Sequence, residues 1–181
     1  MSIRRPPAGY MITGAAPEEI PALIEIDLAA GKVFEGTGLL PEAQLGDHVP
    51  ADVLREAMRS GHLHVARHGQ GELAGFALTS VREGWLYLDQ ISVDPAHGRG
   101  GVGSALMSRV MLEAKDRSLK RVTLSTFRDP PWNGPFYRKN GFKELPRKKM
   151  EKWMIEIESI QDDNGLIVRD RCFMARRLGW L

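Results

Sequence analysis

The chain has 181 residues with a formal net charge of +2, and 43% of its residues are hydrophobic. This length and composition fit a globular protein with one sizeable core. The small net charge argues neither for nor against nucleic acid, because binding requires basic residues clustered on one face. No apolar run approaches the ~20 residues of a membrane span, and no apolar segment of a signal peptide follows the charged N-terminus. We predict a cytoplasmic protein without a membrane or nucleic-acid partner.

Cysteine and histidine usage gives no sign of a metal site. The single cysteine, Cys172, excludes an internal disulfide and a thiolate metal cluster. Its neighbours alternate as in a strand, which favours a buried structural thiol. The five histidines have no metal-ligand spacing, so we predict that no metal is bound.

Hydrophobic periodicity predicts the following elements in chain order. A short strand (10–14) is followed by a helix (16–34), a Gly- and Pro-rich loop (35–50) and a second helix (51–61). Three strand candidates follow, as in an antiparallel meander: 62–69, 72–81 and 85–93. The remaining segments alternate between helix and strand: 101–118, 121–126, 132–140, 142–146, 148–163 and 170–178. This order predicts a mixed α/β or α+β sheet in one domain covering residues 1–181.

The most informative stretch is the turn between the third meander strand and the next helix, "VDPAHGRGGVGSALM". It contains Gly98, Gly100, Gly101 and Gly103, so its N–H groups can approach one point without Cβ atoms in the way. The first turn of the helix adds free N–H groups and the positive end of the helix dipole. A phosphate or pyrophosphate is the ligand that this arrangement favours.

Two common phosphate loops fit this stretch poorly. A Walker A loop requires Lys after its last glycine, and Ser104 stands there. The Rossmann pattern G-x-G-x-x-G matches Gly98, Gly100 and Gly103, but a Rossmann strand runs almost directly into the first glycine. Here "DPAH" intervenes, and the remaining chain does not resemble five further parallel strands.

The stretch resembles the acyl-coenzyme-A loop of the GNAT superfamily of N-acetyltransferases. In that family a strand ends in V-x-P, and [QR]-x-x-G-x-[GA] opens a helix two residues later. Val93 to Pro95 match the first part, and Gly101 and Gly103 match the second. Gly98 departs from the pattern, since Gln or Arg is usual there; Arg99 or the backbone N–H groups would replace that contact.

A second run, "NGPFYRKNGF", resembles the GNAT helix that flanks the pantetheine arm of the coenzyme. Asn133 is predicted as the N-cap of this helix. Tyr137, four residues later, lies on the same side of it. In the family this tyrosine commonly sits beside the thioester sulfur; by itself, it would be read as an ordinary half-buried aromatic residue.

The resemblance implies a fold and a cosubstrate. The fold is a mostly antiparallel central sheet that splays after the fourth strand and is flanked by helices. Acetyl-coenzyme A is the implied acyl donor, and no metal is required. Its implied binding residues are on the strand, the loop and the following helix: Ile91, Ser92, Val93, Gly98, Arg99, Gly100, Gly101, Val102, Gly103, Ser104, Asn133 and Tyr137.

The implied reaction is direct attack by a primary amine on the thioester in a ternary complex. Tyr137 would protonate the leaving thiolate. A carboxylate is the usual acceptor of the amine proton, and Asp89 is the first candidate and Glu35 the second. The sequence does not identify the amine, which could be a small molecule or a peptide.

Other interpretations stay open at this stage. A non-catalytic acyl-coenzyme-A-binding module would use the same loop without turnover, and a dinucleotide-dependent oxidoreductase would use the Rossmann-like glycines. The helix at 148–163 is extra to the minimal family pattern, and either covers the sheet or forms a homodimer contact.

Overall fold

The computed structural model describes residues 5–179, which form one mixed seven-stranded sheet with helices on both faces. The outermost residues of the predicted domain, 1–4 and 180–181, lie outside the described residues. The strands follow one another in the order β1-β2-β3-β4-β5-β7-β6 across the sheet. Their bounds are β1 Tyr10–Gly14, β2 Leu63–His68, β3 Glu72–Arg82, β4 Trp85–Val93, β5 Arg121–Phe127, β6 Lys143–Glu144 and β7 Arg171–Arg177.

Five α-helices accompany the sheet in the described part of the chain. Their bounds are α1 Ile20–Gly31, α2 Ala51–Arg59, α3 Val102–Asp116, α4 Gly134–Lys139 and α5 Lys152–Asp163. All the predicted elements are present, and the fold class is confirmed as mixed α/β. No helix among residues 5–179 combines the length and hydropathy that a membrane crossing requires.

Strand β4 shows how the sequence produces the layers. Its side chains alternate between the two faces of the sheet, as strand geometry requires. Leu86 and Leu88 pack in the core beneath α3 and α4. Trp85 and Tyr87 pack on the opposite face with Trp153 of α5. Helix α5 therefore covers the sheet, which was one of the two roles that the sequence allowed for it.

Helix α3 has the amphipathic pattern of a helix lying on a sheet. Val102, Leu106, Val110 and Ala114 are all at most 1% exposed. The helix begins at Val102 rather than at Ala105, the first helical residue after the glycines in the sequence pattern. On the other face, α1 and α2 enclose a second core with β2 and β3.

The sheet splays after β4. A register shift opposite Leu78 and Thr79 leaves Asp89 as an extra residue in β4, between the paired residues Leu88 and Gln90. Such a β-bulge bends and twists the strand that contains it. Strand β5 then pairs in parallel with β4 at only Leu86–Val122 and Tyr87–Thr123 among the described residues. Beyond these pairs the two strands diverge and open a cleft.

Candidate active site

A cleft of about 340 Å³ lies where β4 and β5 diverge. Its walls come from the end of α1, the loop after it, the facing edges of β4 and β5, and residues of α4, α5 and β7. The cleft brings together Asp89, Ile91, Asn133 and Tyr137 among the predicted site residues. These residues come from two elements that are far apart in sequence, so the splay of the sheet creates their proximity.

The glycine loop leads from the end of β4 to α3. Its first part is a 3₁₀ turn, Pro95–His97, in which the Asp94 carboxylate accepts a hydrogen bond of 2.8 Å from the Ala96 N–H. Gly101, at the N-cap of α3, has a φ of +90°, a left-handed conformation that favours glycine. The chain thereby enters α3 with no side chain at the N-cap position.

The loop presents free backbone donors. The N–H groups of residues 99–104 have no backbone acceptor among the described residues, as expected for the first turn of a helix. Arg99 itself has a φ of +58° and an exposed side chain. The predicted pyrophosphate residues Gly98 to Ser104 thus form one continuous segment at the positive end of the α3 dipole.

The predicted pantetheine residues lie on the free edge of β4. Ile91, Ser92 and Val93 pair with β3 on one side only, and the part of the chain that the structure describes places no strand on the other side. Their outward backbone groups are therefore available to a ligand. The Ser92 side chain is not, because its hydroxyl donates to Asp27 Oδ1 at 2.6 Å.

Tyr137, on α4, lines the cleft. It is 7% exposed, and its ring packs at tilted edge-to-face angles against Phe136 and Phe142. Burial, followed by the nearby Tyr87, raises the pKa of Tyr137. Its hydroxyl is consequently protonated at neutral pH and can donate a proton or a hydrogen bond.

Asn133 occupies the predicted N-cap position but does not cap α4 with its side chain. Its Nδ2 instead donates to Thr126 Oγ1 of β5 at 3.0 Å. Its Oδ1 is buried without a hydrogen-bond partner and belongs to a residue that lines the cleft. The predicted N-cap position is confirmed, but the side chain is turned toward β5 and makes no capping hydrogen bond.

The residue after Asn133 explains how α4 can lie so close to β5. A Cβ atom on Gly134 would overlap the backbone carbonyl oxygen of Arg128. Only glycine permits this approach of the helix to the end of the strand. Gly134 therefore helps to hold Asn133 and Tyr137 at the cleft.

Asp89 projects from the β4 bulge with an unusual environment. Burial raises its pKa, opposed by the nearby Ser80 hydroxyl and Arg82 guanidinium. Arg82 Nη2 lies 3.7 Å from Asp89 Oδ1, whereas Oδ2 is buried without a hydrogen-bond partner. A carboxylate in this state can accept a proton. Glu35, the second candidate, is exposed and does not line the cleft.

Several cleft residues were not predicted from the sequence. Tyr87 lies next to Asp89 on the same strand, and burial and then Asp89 raise its pKa to about 12. Arg171 reaches the cleft from β7. Asp27 of α1 accepts hydrogen bonds from Gln90, Ser92 and the Val49 N–H. The alternation of "WLYLDQ" could have indicated Tyr87, but no local signal indicates Arg171 or Asp27.

The histidines and the cysteine lie outside the cleft. His62 and His64 contact one buried carboxylate, Glu113 of α3, and His97 Nδ1 lies 2.9 Å from the Tyr10 hydroxyl. Cys172 is buried in the core, as predicted, and burial raises the pKa of its thiol. Residues 5–179 contain no group of three or more His, Cys, Asp or Glu side chains arranged to hold a metal ion.

A mixed sheet that splays beside a glycine loop, with a buried tyrosine lining the cleft, is the arrangement that the GNAT resemblance implies. Residues 59–144 match the family model described as the acetyltransferase (GNAT) domain. This region contains both motifs that resemble the GNAT superfamily in the sequence, so the resemblance is confirmed over these residues. The antiparallel sheet is not the doubly wound sheet that the dinucleotide alternative requires.

Solved structures have the same fold at low sequence identity. N-acetylglutamate synthase from Neisseria gonorrhoeae, complexed with coenzyme A and N-acetyl-glutamate, is 18% identical with a TM-score of 0.71. That match covers 96% of this chain but 36% of the synthase, so this chain spans about a third of it. PaiA N-acetyltransferase from Thermoplasma acidophilum, in complex with coenzyme A, is 16% identical with a TM-score of 0.67 and coverages of 93% and 99%. The ribosomal-protein-S18-alanine N-acetyltransferase from Escherichia coli is 18% identical with a TM-score of 0.64 and coverages of 95% and 96%.

Proposed function

We propose that residues 1–181 act as one catalytic domain that transfers acetyl from acetyl-coenzyme A to a primary amine, by direct attack in a ternary complex. The observation that carries the proposal is the position of Tyr137 and Asp89. Both line one cleft beside the unpaired edge of β4. A protonated donor and an incompletely bonded carboxylate are the two groups that this reaction needs.

The coenzyme would lie along the β4 edge and the glycine loop. Backbone groups of Ile91, Ser92 and Val93 would bind the pantetheine arm in the manner of an added strand. The N–H groups of residues 99–104 would bind the pyrophosphate, with Arg99 adding positive charge. The predicted Gly98 would not donate, because its N–H is hydrogen-bonded to the Pro95 carbonyl oxygen. The Asn133 Oδ1, buried without a partner, is an acceptor available to an amide N–H of the arm.

The acyl transfer requires three proton movements: the protonated amine loses one proton before attack, its nitrogen releases a second to solvent as the amide forms, and the leaving thiolate gains one. The amine nitrogen forms a bond to the thioester carbonyl carbon, and the carbon–sulfur bond then breaks. Tyr137 gives its hydroxyl proton to the departing coenzyme thiolate. Solvent restores that proton after the products leave.

Asp89 is the proposed acceptor of the amine proton, directly or through a water molecule. An ordinary alkyl amine has a pKa near 10.4, so at neutral pH it must lose a proton before it attacks. The raised pKa of Asp89 makes this carboxylate a better base than an exposed one. Cys172 is not used, because its thiol is buried in the core away from the cleft.

The proposed acceptor is an amine, and the structural neighbours differ in the type of molecule that carries it. One structural neighbour was solved with N-acetyl-glutamate and another is an alanine N-acetyltransferase of a ribosomal protein. Both an amino acid and a peptide N-terminus are therefore compatible with the fold. We place the reaction in the cytoplasm, a reducing compartment in which the free thiol of Cys172 stays reduced. Homodimer formation stays a prediction.

The main experiment measures free thiol release from acetyl-coenzyme A in the presence of an amine library. Gly101→Glu should abolish coenzyme binding in calorimetry, because its carboxylate repels the pyrophosphate and its side chain fills the loop. Gly84→Glu is the matched control, since Gly84 also has a positive φ, +79°, but lies in the β3–β4 turn with no atom near its Cβ position. Circular dichroism checks that both variants are folded.

Two results would contradict the proposal. Undiminished coenzyme affinity in folded Gly101→Glu would remove the loop from the binding site. Coenzyme binding without transfer to any amine would instead favour the non-catalytic module.

A further inference from the structure

Arg171, the first residue of β7, places a partly buried guanidinium in the cleft. Its Nε donates to Gln161 Oε1 of α5 at 3.1 Å, and its Nη2 donates to Ser125 Oγ of β5 at 3.2 Å. The guanidinium carbon lies 4.5 Å from the centre of the Phe127 ring. Contacts from two elements, α5 and β5, thus hold this side chain in one orientation.

The guanidinium has no anionic partner within residues 5–179. Among the ion pairs of the described residues, none includes Arg171. The titratable groups that affect it are Tyr87, Cys172 and Tyr137, all neutral at pH 7 because burial raises the pKa of each. A guanidinium has five N–H donors, so donors remain beyond the two hydrogen bonds. An unpaired charge removed from water lowers stability unless an anionic ligand pairs with it.

The acidic residues of the cleft are engaged elsewhere or exposed. The carboxylate of Asp27 accepts hydrogen bonds from Gln90, Ser92 and the Val49 N–H. Asp89 faces Arg82, and Asp47 is exposed at the rim. None of them neutralises Arg171, which leaves a cationic spot inside the cleft.

This spot lies close to the catalytic groups. The ionisation of Tyr87 responds to both Asp89 and Arg171, which act on it in opposite directions. The ionisation of Tyr137 also responds to Arg171. A molecule whose amine lies between Asp89 and Tyr137 can therefore place a neighbouring anionic group against Arg171.

We propose that the acceptor is a small amine that carries a carboxylate, such as a free amino acid, and that Arg171 binds this carboxylate. The planar fork of a guanidinium matches the two oxygens of a carboxylate. The cleft volume of about 340 Å³ must also hold the end of the pantetheine arm, which favours a small acceptor. This inference rests on the proposed amine acetylation and adds the substrate class.

The test compares matched amines that differ in one group. Free amino acids are paired with their amides and with the corresponding decarboxylated amines, and short peptides form a third set. The wild-type protein should prefer the carboxylates by at least about 10-fold in kcat/KM, since a charge-assisted pair in a buried site contributes about 1.5–3 kcal/mol. Equal rates within the pairs, or a preference for peptides, would overturn the proposal.

Variants at Arg171 test whether this residue is the source of the preference. Arg171→Gln should remove the preference, and Arg171→Lys should keep part of it, because the charge remains without the planar fork. Arg169→Gln is the matched control: its side chain is 84% exposed and pairs with Asp170. A preference that survives in folded Arg171→Gln would overturn the assignment, and the Lys variant keeps the test available if the Gln variant does not fold.

A binding measurement separates this inference from the proposed function. In the presence of coenzyme A, N-acetylated amino acids should raise the melting temperature more than their amides do, and Arg171→Gln should abolish the difference. Transfer to amines without this difference would contradict the inference alone. The difference without transfer to any amine would contradict the proposed function while supporting a carboxylate site at Arg171.

Discussion

Two carboxylates, the buried Glu113 and the partly buried Asp89, lie beside consecutive residues of β3 on opposite faces of the sheet. Glu113 of α3 accepts a hydrogen bond from the Thr79 hydroxyl at 2.8 Å, and Asp89 lies near the Ser80 hydroxyl. Glu113 is also bonded by His62, His64 and Arg117, at 2.6, 2.8 and 2.9 Å. Asp89, in contrast, has one oxygen with no partner at all.

The difference in bonding reverses the effect of burial. Burial by itself would raise the pKa of Glu113, but hydrogen bonds from His64 and Thr79 outweigh it and the pKa is lowered. For Asp89 burial prevails and the pKa is raised. A fully bonded carboxylate stabilises the fold and keeps its charge, whereas an incompletely bonded one can take up a proton. We therefore expect substitutions near Glu113 to affect stability and those near Asp89 to affect catalysis.

The largest effect is expected for Tyr137→Phe, at the catalytic end of the comparison. Removal of the hydroxyl alone should lower kcat by about 10²–10⁴, the usual contribution of a general acid. The Kd for acetyl-coenzyme A should change little, because the ring and its packing remain. Pre-steady-state rates and calorimetry measure the two quantities. Wild-type kcat, with chemistry limiting, would reduce Tyr137 to a structural aromatic residue.

Asp89→Asn should lower kcat/KM by about 10²-fold, the lower end for a general base, since water can partly replace it. The loss should be greatest between the raised pKa of Asp89 and the pKa of the amine, and should shrink at lower pH, where the wild-type carboxyl group is itself protonated. In the wild type the base is active once pH exceeds the raised pKa of Asp89. A pH–rate profile that superimposes on that of the wild type would assign the role to another group.

Glu113→Gln should leave turnover nearly unchanged but lower the free energy of unfolding by about 2–3 kcal/mol, because it removes charge-assisted hydrogen bonds. The sign of the pH dependence follows from the lowered pKa. The stability from Glu113 is present above its unfolded pKa, about 4.3, and is lost as pH falls through the lower folded value. Urea unfolding at pH 7 and pH 3 tests this, and a constant difference between variant and wild type would contradict it.

The smallest effects are expected for the hydroxyl groups of Thr79, beside Glu113, and Ser80, beside Asp89. Thr79→Val should destabilise the fold by about 1 kcal/mol, the typical net value of one hydrogen bond, without changing the pH–rate profile. Ser80→Ala should leave stability nearly unchanged. It should move the acid limb of the pH–rate profile to higher pH, because the Ser80 hydroxyl lowers the pKa of Asp89. Identical responses to the two substitutions would remove the distinction between the two carboxylates.

The sequence alone determined the elements whose signals are local. The meander strands, the buried stripe of α3 and the helix around Tyr137 follow from hydrophobic periodicity, and the glycine loop follows from Gly101 and its neighbours. These features depend on backbone preferences and on side chains a few residues apart. The family resemblance also rests on short motifs, so it was visible without a structure.

The tertiary structure decided the electrostatics of the cleft. The bulge at Asp89 depends on the register between β4 and β3. Two hydrogen-bond partners of Glu113, Thr79 and His62, lie 34 and 51 residues away from it in the sequence. Arg171 becomes a cleft residue through contacts with Ser125 and Gln161. A pKa or an unpaired charge depends on burial and on neighbours in space, and neither can be inferred from the spacing of residues along the chain.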